Sequence, residues 1–163
     1  MTPSGAVIEA IKLLQAGAGY QRLVLVVGPP GTGKTAALRE VSQALSFPVV
    51  NVNLDLSHRL LPYSRNERRR VAGNLLSEVL DRHTASVVGL DNLELLFSPE
   101  LAVDPLRLLQ QESRRRCLVA TWSGAVVGQD LHYAVPGHPE HVVHPLPSTP
   151  IVQTALAASP ENL

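Results

Sequence analysis

The sequence predicts an α/β fold: a parallel sheet of about five strands, helices on both faces, and a phosphate-binding loop at the carboxyl ends of the strands. Three observations carry that expectation. The runs LVLVVG (23–28), SVVGLD (86–91) and CLVATW (117–122) are continuously apolar rather than alternating, as in strands buried on both faces. Segments of helical spacing lie between them. The first run leads straight into GPPGTGKT (28–35), and a helix pattern follows that loop.

Composition bounds the rest. A chain of 163 residues is long enough for one domain with one core. With 45% hydrophobic, 17% charged and only 4% aromatic residues, that core must be aliphatic. A formal net charge of zero excludes a general basic coat for nucleic acid. The single cysteine, Cys117, has no internal partner for a disulfide, which fits a reducing compartment. No apolar run approaches the ~20 residues of a membrane span, and the start of the chain lacks the basic-then-apolar pattern of a leader. The expectation is a cytoplasmic protein with no membrane partner. All 14 Lys and Arg lie between Lys12 and Arg116, so residues 117–163 hold none.

Taken in order, residues 1–22 predict an N-terminal helix, with Val7, Ile8, Ile11 and Leu14 on one face after a Ser4 cap. Residues 23–146 form the expected nucleotide-binding domain. Its first strand and loop are followed by the helix AALREVSQAL. FPVVNVNL (47–54) reads as a second strand leading into a short polar segment. SRNE (64–67) has the spacing of a capping box and opens a helix to about Arg82, with Val71, Leu75, Leu76 and Val79 on one face. SVVGLD is the third strand. Asp104 and Pro105 read as the cap and first turn of a helix to about Arg116. CLVATW is the fourth strand and HVVHPL (141–146) the fifth. Residues 147–163 are weakly patterned and are expected to fray.

The chemistry gathers at the carboxyl ends of these strands. Gly28, Pro29, Pro30, Gly31, Thr32, Gly33, Lys34, Thr35 and Ala36 make up the expected nucleotide-binding loop. Its glycines let the backbone curl so that N–H groups face phosphate oxygens, and the helix start adds partial positive charge. Lys34 would reach the β- and γ-phosphates. Thr35, through its hydroxyl, and Asp91, at the end of the third strand, would hold Mg²⁺. ATP and Mg²⁺ are therefore the expected ligands.

The catalytic candidates are less regular. Many ATPases follow the magnesium Asp with a Glu that positions water; here Asn92 follows Asp91, and the next acid is Glu94. An amide can orient water but cannot take its proton. Thr121 and Ser123 end the fourth strand on one face, and either hydroxyl could sense the γ-phosphate. The clusters RNERRR (65–70) and SRRR (113–116) read as solvated helix faces. The sharper reading gives Arg114 or its two neighbours the charge at a γ-phosphate, in this subunit or the next. His132, His138, His141 and His144 lack zinc spacing and read as a shaped loop before the last strand.

The order of motifs resembles the additional-strand ATPases that include the AAA+ family. GPPGTGKT looks like that family's phosphate loop and GLDNLE like a modified form of its magnesium strand. The arginine beyond the fourth strand and the helical lid of that family have no counterpart in residues 117–163. More specifically, NVNLDLSHRLL, LDNLELLFSPELAVDPLRLLQQESRRR, VATWSG and LHYAVPGHPEH, spread over residues 20–144, resemble the BrxF family of small P-loop proteins from type 3 BREX phage-defence systems. The resemblance implies a bacterial cytoplasmic ATP-binding component that works beside methyltransferase- or helicase-like partners; DNA met through those partners and a homo-oligomer are further expectations. The expected activity is a slow ATPase stimulated within an assembly. The alternatives are a non-hydrolysing subunit built around bound nucleotide, which Asn92 favours, and a small-molecule kinase, which the arginine-free end of the chain opposes.

Overall fold

The three continuous aliphatic runs become Leu23–Gly28 (β1), Val87–Asp91 (β3) and Cys117–Val127 (β4) in the computed structural model, which describes residues 2–17 and 20–154. Every residue of β1 and β3 is buried, as continuous apolar strands require. Val49–Asn51 (β2) and Ile151–Gln153 (β7) complete a parallel sheet in the order β2-β3-β4-β1-β7.

Period-two alternation divides the core. Val24, Val26 and Val119 pack with Leu38 and Val41 beneath the helices Pro3–Ala16 (α1) and Lys34–Leu45 (α2). Leu23, Leu25, Val27, Ala120 and Trp122 face the other way. They meet Val52–Leu60 (α3), Arg65–Asp81 (α4) and Pro105–Glu112 (α5). The predicted capping box is present between Ser64 and Glu67, and Asp104 caps α5 ahead of Pro105.

Several boundaries differ from expectation. Thr2, not Ser4, caps α1 by accepting the Gly5 N–H. Pro3 is preset for the first helical position, so the helix begins before Ser4, and the Ser4 hydroxyl donates to Glu40 instead. The second strand is only Val49–Asn51. Asn51 then caps α3 through the Leu54 N–H, and Val52, Leu56 and Leu60 recur at helical spacing on its buried side. A helix therefore stands where a longer strand and a polar segment were expected.

The last part of the sheet is also rearranged. β4 runs past the parallel sheet and pairs antiparallel with Asp130–Tyr133 (β5), which pairs with Val142–Pro145 (β6). The HVVHPL run is thus a strand of this antiparallel extension. The fifth parallel strand is β7, within the segment expected to fray. Ile151 and Val152 are half-buried beside Leu25 and Val26, and the Pro150 carbonyl accepts the Leu25 N–H. A short edge strand needs few apolar residues, so its pattern is faint in sequence. The rest of the expected tail, residues 155–163, lies outside the described residues. No helix follows β4 among the described residues, and none of their helices is long and apolar enough to cross a membrane.

Candidate functional site

β1 delivers the chain to the loop at Gly28. Gly31 (φ 77°) and Gly33 (φ 87°) take left-handed conformations that suit glycine, and Gly33 caps α2 with no side chain in the way. The first amides of α2 therefore remain available to an anion. Lys34 folds back over the loop and donates to the Pro29 carbonyl at 2.8 Å. Burial pushes its pKa down, while the nearby carboxylates of Asp91 and Glu94 push it up. Pro29, Pro30, Gly31, Gly33 and Ala36 are exposed, so the loop opens to solvent over this nearly buried cation.

Across from the loop, the Asp91 carboxylate accepts from Thr35 Oγ1 at 2.9 Å and from Thr121 Oγ1 at 2.8 Å. Asp91 is 7% exposed and forms no ion pair among the described residues. A nearly buried carboxylate beside a threonine hydroxyl is a hard oxygen donor set, which fits Mg²⁺. The parallel register makes this meeting possible: β4 lies between β1 and β3, with Thr121 opposite Val26. The two hydroxyl candidates now separate. Thr121 is buried and bonded to Asp91, which makes it an orienting residue for that carboxylate. Ser123 lies opposite Gly28, half-buried, and its carbonyl accepts the Ala134 N–H.

Asn92 follows Asp91 directly at the end of β3. It sits at φ 55°, a left-handed position in which Asn is enriched, and its carbonyl accepts the Asn53 N–H at 2.9 Å. Its side chain lines an open polar hollow with Asn51, Asn53, Leu54 and Ser57. Glu94 opens a 3₁₀ turn, Glu94–Phe97, and accepts from Asn53 Nδ2 at 2.8 Å. The other end of the same amide accepts the Leu95 N–H at 2.7 Å. Asn53 thus fastens the whole turn after Asp91. The sequence alone does not reveal it because NVNL fits a strand pattern; the Asn-x-Asn spacing across a helix cap is the available signal. Phe97 from this turn stacks on Tyr133 and meets Trp122 edge-on, which seats the antiparallel extension against it.

The arginine expectation is corrected for this chain's own site. Arg114, Arg115 and Arg116 precede β4 and lie at the amino ends of the strands, whereas Asp91 is at a carboxyl end. Arg114 stacks 4.6 Å above the Tyr20 ring, Arg115 pairs with Glu112 and Asp81, and Arg116 pairs with Asp81. None is placed to serve this chain's own loop, because β1 and β4 are parallel and the loop leaves β1 at the opposite end of the sheet. The earlier cluster is a largely exposed face of α4, on which Arg65 pairs with Glu100 and Arg69 donates to the Glu100 carbonyl. His132 Nδ1 and His141 Nε2 lie 3.0 Å apart, and His144 packs against Trp122. No group of three or more His, Cys, Asp or Glu suited to a metal occurs among the described residues.

Comparison with known proteins adds the following. The family described as AAA ATPase domain matches residues 6–127. No curated protein sequence matches. Among solved structures, PCH-2 of C. elegans is similar at 21% identity and a TM-score of 0.44, over 77% of this chain and 37% of that one. The chain therefore spans little more than a third of that protein's length.

Proposed function

The chain belongs to the AAA ATPase domain family, and from that premise we propose that it binds ATP with Mg²⁺ at residues 28–36 and Asp91 and works as a slow, partner-stimulated ATPase. The observation that carries this reading is the Asp91 carboxylate, nearly buried and held by Thr35 from the loop and Thr121 from β4. Lys34 supplies the cation for the β- and γ-phosphates, and the amides of the loop and of the α2 start supply donors. Thr35 and Asp91 would hold the ion, which on binding would neutralise charge developing on the phosphate oxygens.

Slow turnover follows from what stands near the phosphates. Asn92 cannot accept a proton, Glu94 is held by Asn53, and the arginines before β4 are at the wrong end of the sheet. The same observations favour a second reading, a subunit that holds nucleotide without hydrolysing it. The resemblance of the DPLRLLQ and YAVPGHPE segments to the BrxF family supports a place in a BREX-type phage-defence system in the bacterial cytoplasm. There, ATP would switch self-assembly or contact with methyltransferase- or helicase-like partners, and DNA would be met through them.

The test is calorimetry of ATP binding with and without Mg²⁺, followed by turnover assays alone and with candidate partners. Mg²⁺-dependent binding with a low rate that partners raise is expected. A folded chain that binds no nucleotide overturns the proposal, and binding without turnover under every condition selects the second reading. For the defence role, Lys34→Ala in an intact system should restore phage plating on a protected host; undiminished protection would sink it.

A further inference from the structure

We infer that Thr154, the residue following β7, is a positioning residue for the phosphate loop, fastening it to the edge of the sheet through Thr32. This rests on the nucleotide-binding reading above. Thr154 Oγ1 and Thr32 Oγ1 lie 2.8 Å apart, and either could donate. Each hydroxyl has one proton. Thr32 Oγ1 donates to the Pro29 carbonyl at 2.7 Å, so its proton is committed there; the Thr154 proton has two acceptors in range, the Val27 carbonyl at 3.4 Å and Thr32 Oγ1 at 2.8 Å, and the shorter contact makes Thr154 the donor to Thr32. Lys34 Nζ also donates to that carbonyl, at 2.8 Å. A chain of hydrogen bonds therefore runs from Thr154 through Thr32 to Pro29 and ends on the oxygen that holds the phosphate-binding lysine. Linked bonds of this kind polarise and strengthen one another.

The backbone is built for this approach. The Thr154 N–H donates to the Val27 carbonyl at 2.9 Å, which sets Thr154 beside the start of the loop. A Cβ on Gly28 would overlap Thr154 Oγ1 and come within 2.6 Å of Thr32 Oγ1. Crowding by the clasp thus accounts for glycine at position 28. β7 is three residues long, pairs with β1 alone, and forms one edge of the parallel sheet. A strand held by so little depends on the clasp for its seating, and the loop depends on it for its shape. Coupling of that kind is reciprocal: a nucleotide that fixes the loop must also fix β7.

The experiment compares wild type, Thr154→Val, Thr154→Ser, Thr32→Val and the double valine variant. ATP affinity is read by calorimetry and β7 amide exchange by mass spectrometry, with and without ATP. Thr154→Val should weaken ATP binding about five- to tenfold, the scale of one or two lost hydrogen bonds, and Thr154→Ser should restore it. Thr32→Val should cost the same, and the double variant should lose no more than either single one. ATP should slow exchange in β7 of the wild type and not in Thr154→Val. Unchanged affinity in Thr154→Val, full additivity in the double variant, or β7 exchange indifferent to ATP in the wild type would each overturn the clasp. If Thr154→Val does not fold, Thr32→Val and the wild-type exchange decide. A wild type that binds no ATP fails at the underlying reading and takes the clasp with it, whereas failure of the clasp alone leaves wild-type binding intact.

Discussion

Between Asp91 and Leu95 the chain makes one tight turn, and the amide of Asn53 holds both its acid and its backbone. Asn53→Asp separates these two functions. The acceptor for the Leu95 N–H is kept, while the donor to Glu94 becomes a second carboxylate. Repulsion should free Glu94 and raise single-turnover hydrolysis, up to the ~10²–10⁴ available from general-base assistance. Asn92→Glu should also raise the rate, and Glu94→Gln should lower it, with little change in ATP affinity. If none of the three moves the rate, the water is positioned from elsewhere. Lys34→Ala should weaken ATP binding by roughly ten- to a hundredfold in a folded protein, the range for charged hydrogen bonds; calorimetry with unchanged affinity would rule the cradle out. At the opposite end of β4, burial pushes the Cys117 thiol from its ordinary 9.0 to about 11. The folded chain then binds more protons than the unfolded one between those two values. Stability should fall as pH rises through that window and be unaffected by this group below it. Urea unfolding at pH 8 and pH 10, against Cys117→Val, tests this, and thiol labelling at pH 8 should be slow until the chain unfolds.

At the scale of elements, the site is assembled by parts with separate sequence signatures. The turn that carries Glu94 is seated by Phe97, Trp122 and Tyr133, which come from that turn, β4 and β5. Phe97→Ala should cost about 3–5 kcal/mol, the usual range for removing a buried aromatic ring. It should also change the near-ultraviolet circular dichroism of Trp122 before the chain unfolds. A loss under ~1 kcal/mol would show that the extension is not supporting the turn. The capping box and the Asp104-Pro105 start were legible because their chemistry is local, confined to residues within one helical turn. The α3 start was misread for the same reason in reverse. VVNVNL satisfies a strand pattern locally, and only the burial of Val52, Leu56 and Leu60 against the sheet decides for helix.

At the scale of the whole molecule, charge is arranged by sheet end. The loop, Asp91 and Glu94 lie at the carboxyl ends, and Arg114, Arg115 and Arg116 lie at the amino ends, engaged with Tyr20, Glu112 and Asp81. The 113–116 cluster therefore brings no positive charge to this chain's own loop, and an arginine for the γ-phosphate is expected from another molecule. An arginine supplied that way is worth about 10³–10⁵ in rate. Turnover per chain should therefore be low on dilution and rise steeply with self-assembly or a partner. Fast hydrolysis that stays constant per molecule across a wide dilution series would contradict this.

The sequence by itself determined the parallel α/β class, the glycine-rich loop between β1 and α2, the place of Asp91 at the carboxyl end of its strand, and the caps of α4 and α5. Each follows from residue type at short spacing: glycines where φ is positive, a lysine after them, continuous apolar runs where both faces are covered. Only the tertiary structure put Thr121 rather than Ser123 against Asp91, set Arg114, Arg115 and Arg116 at the opposite sheet end from the loop, and brought Asn53 to Glu94 and Thr154 to Thr32. These depend on strand order and register. Placing β4 between β1 and β3, and β7 beyond β1, brings together residues far apart in the chain. Side-chain periodicity states which face a residue occupies; which strand lies next to it is settled by packing of the whole sheet.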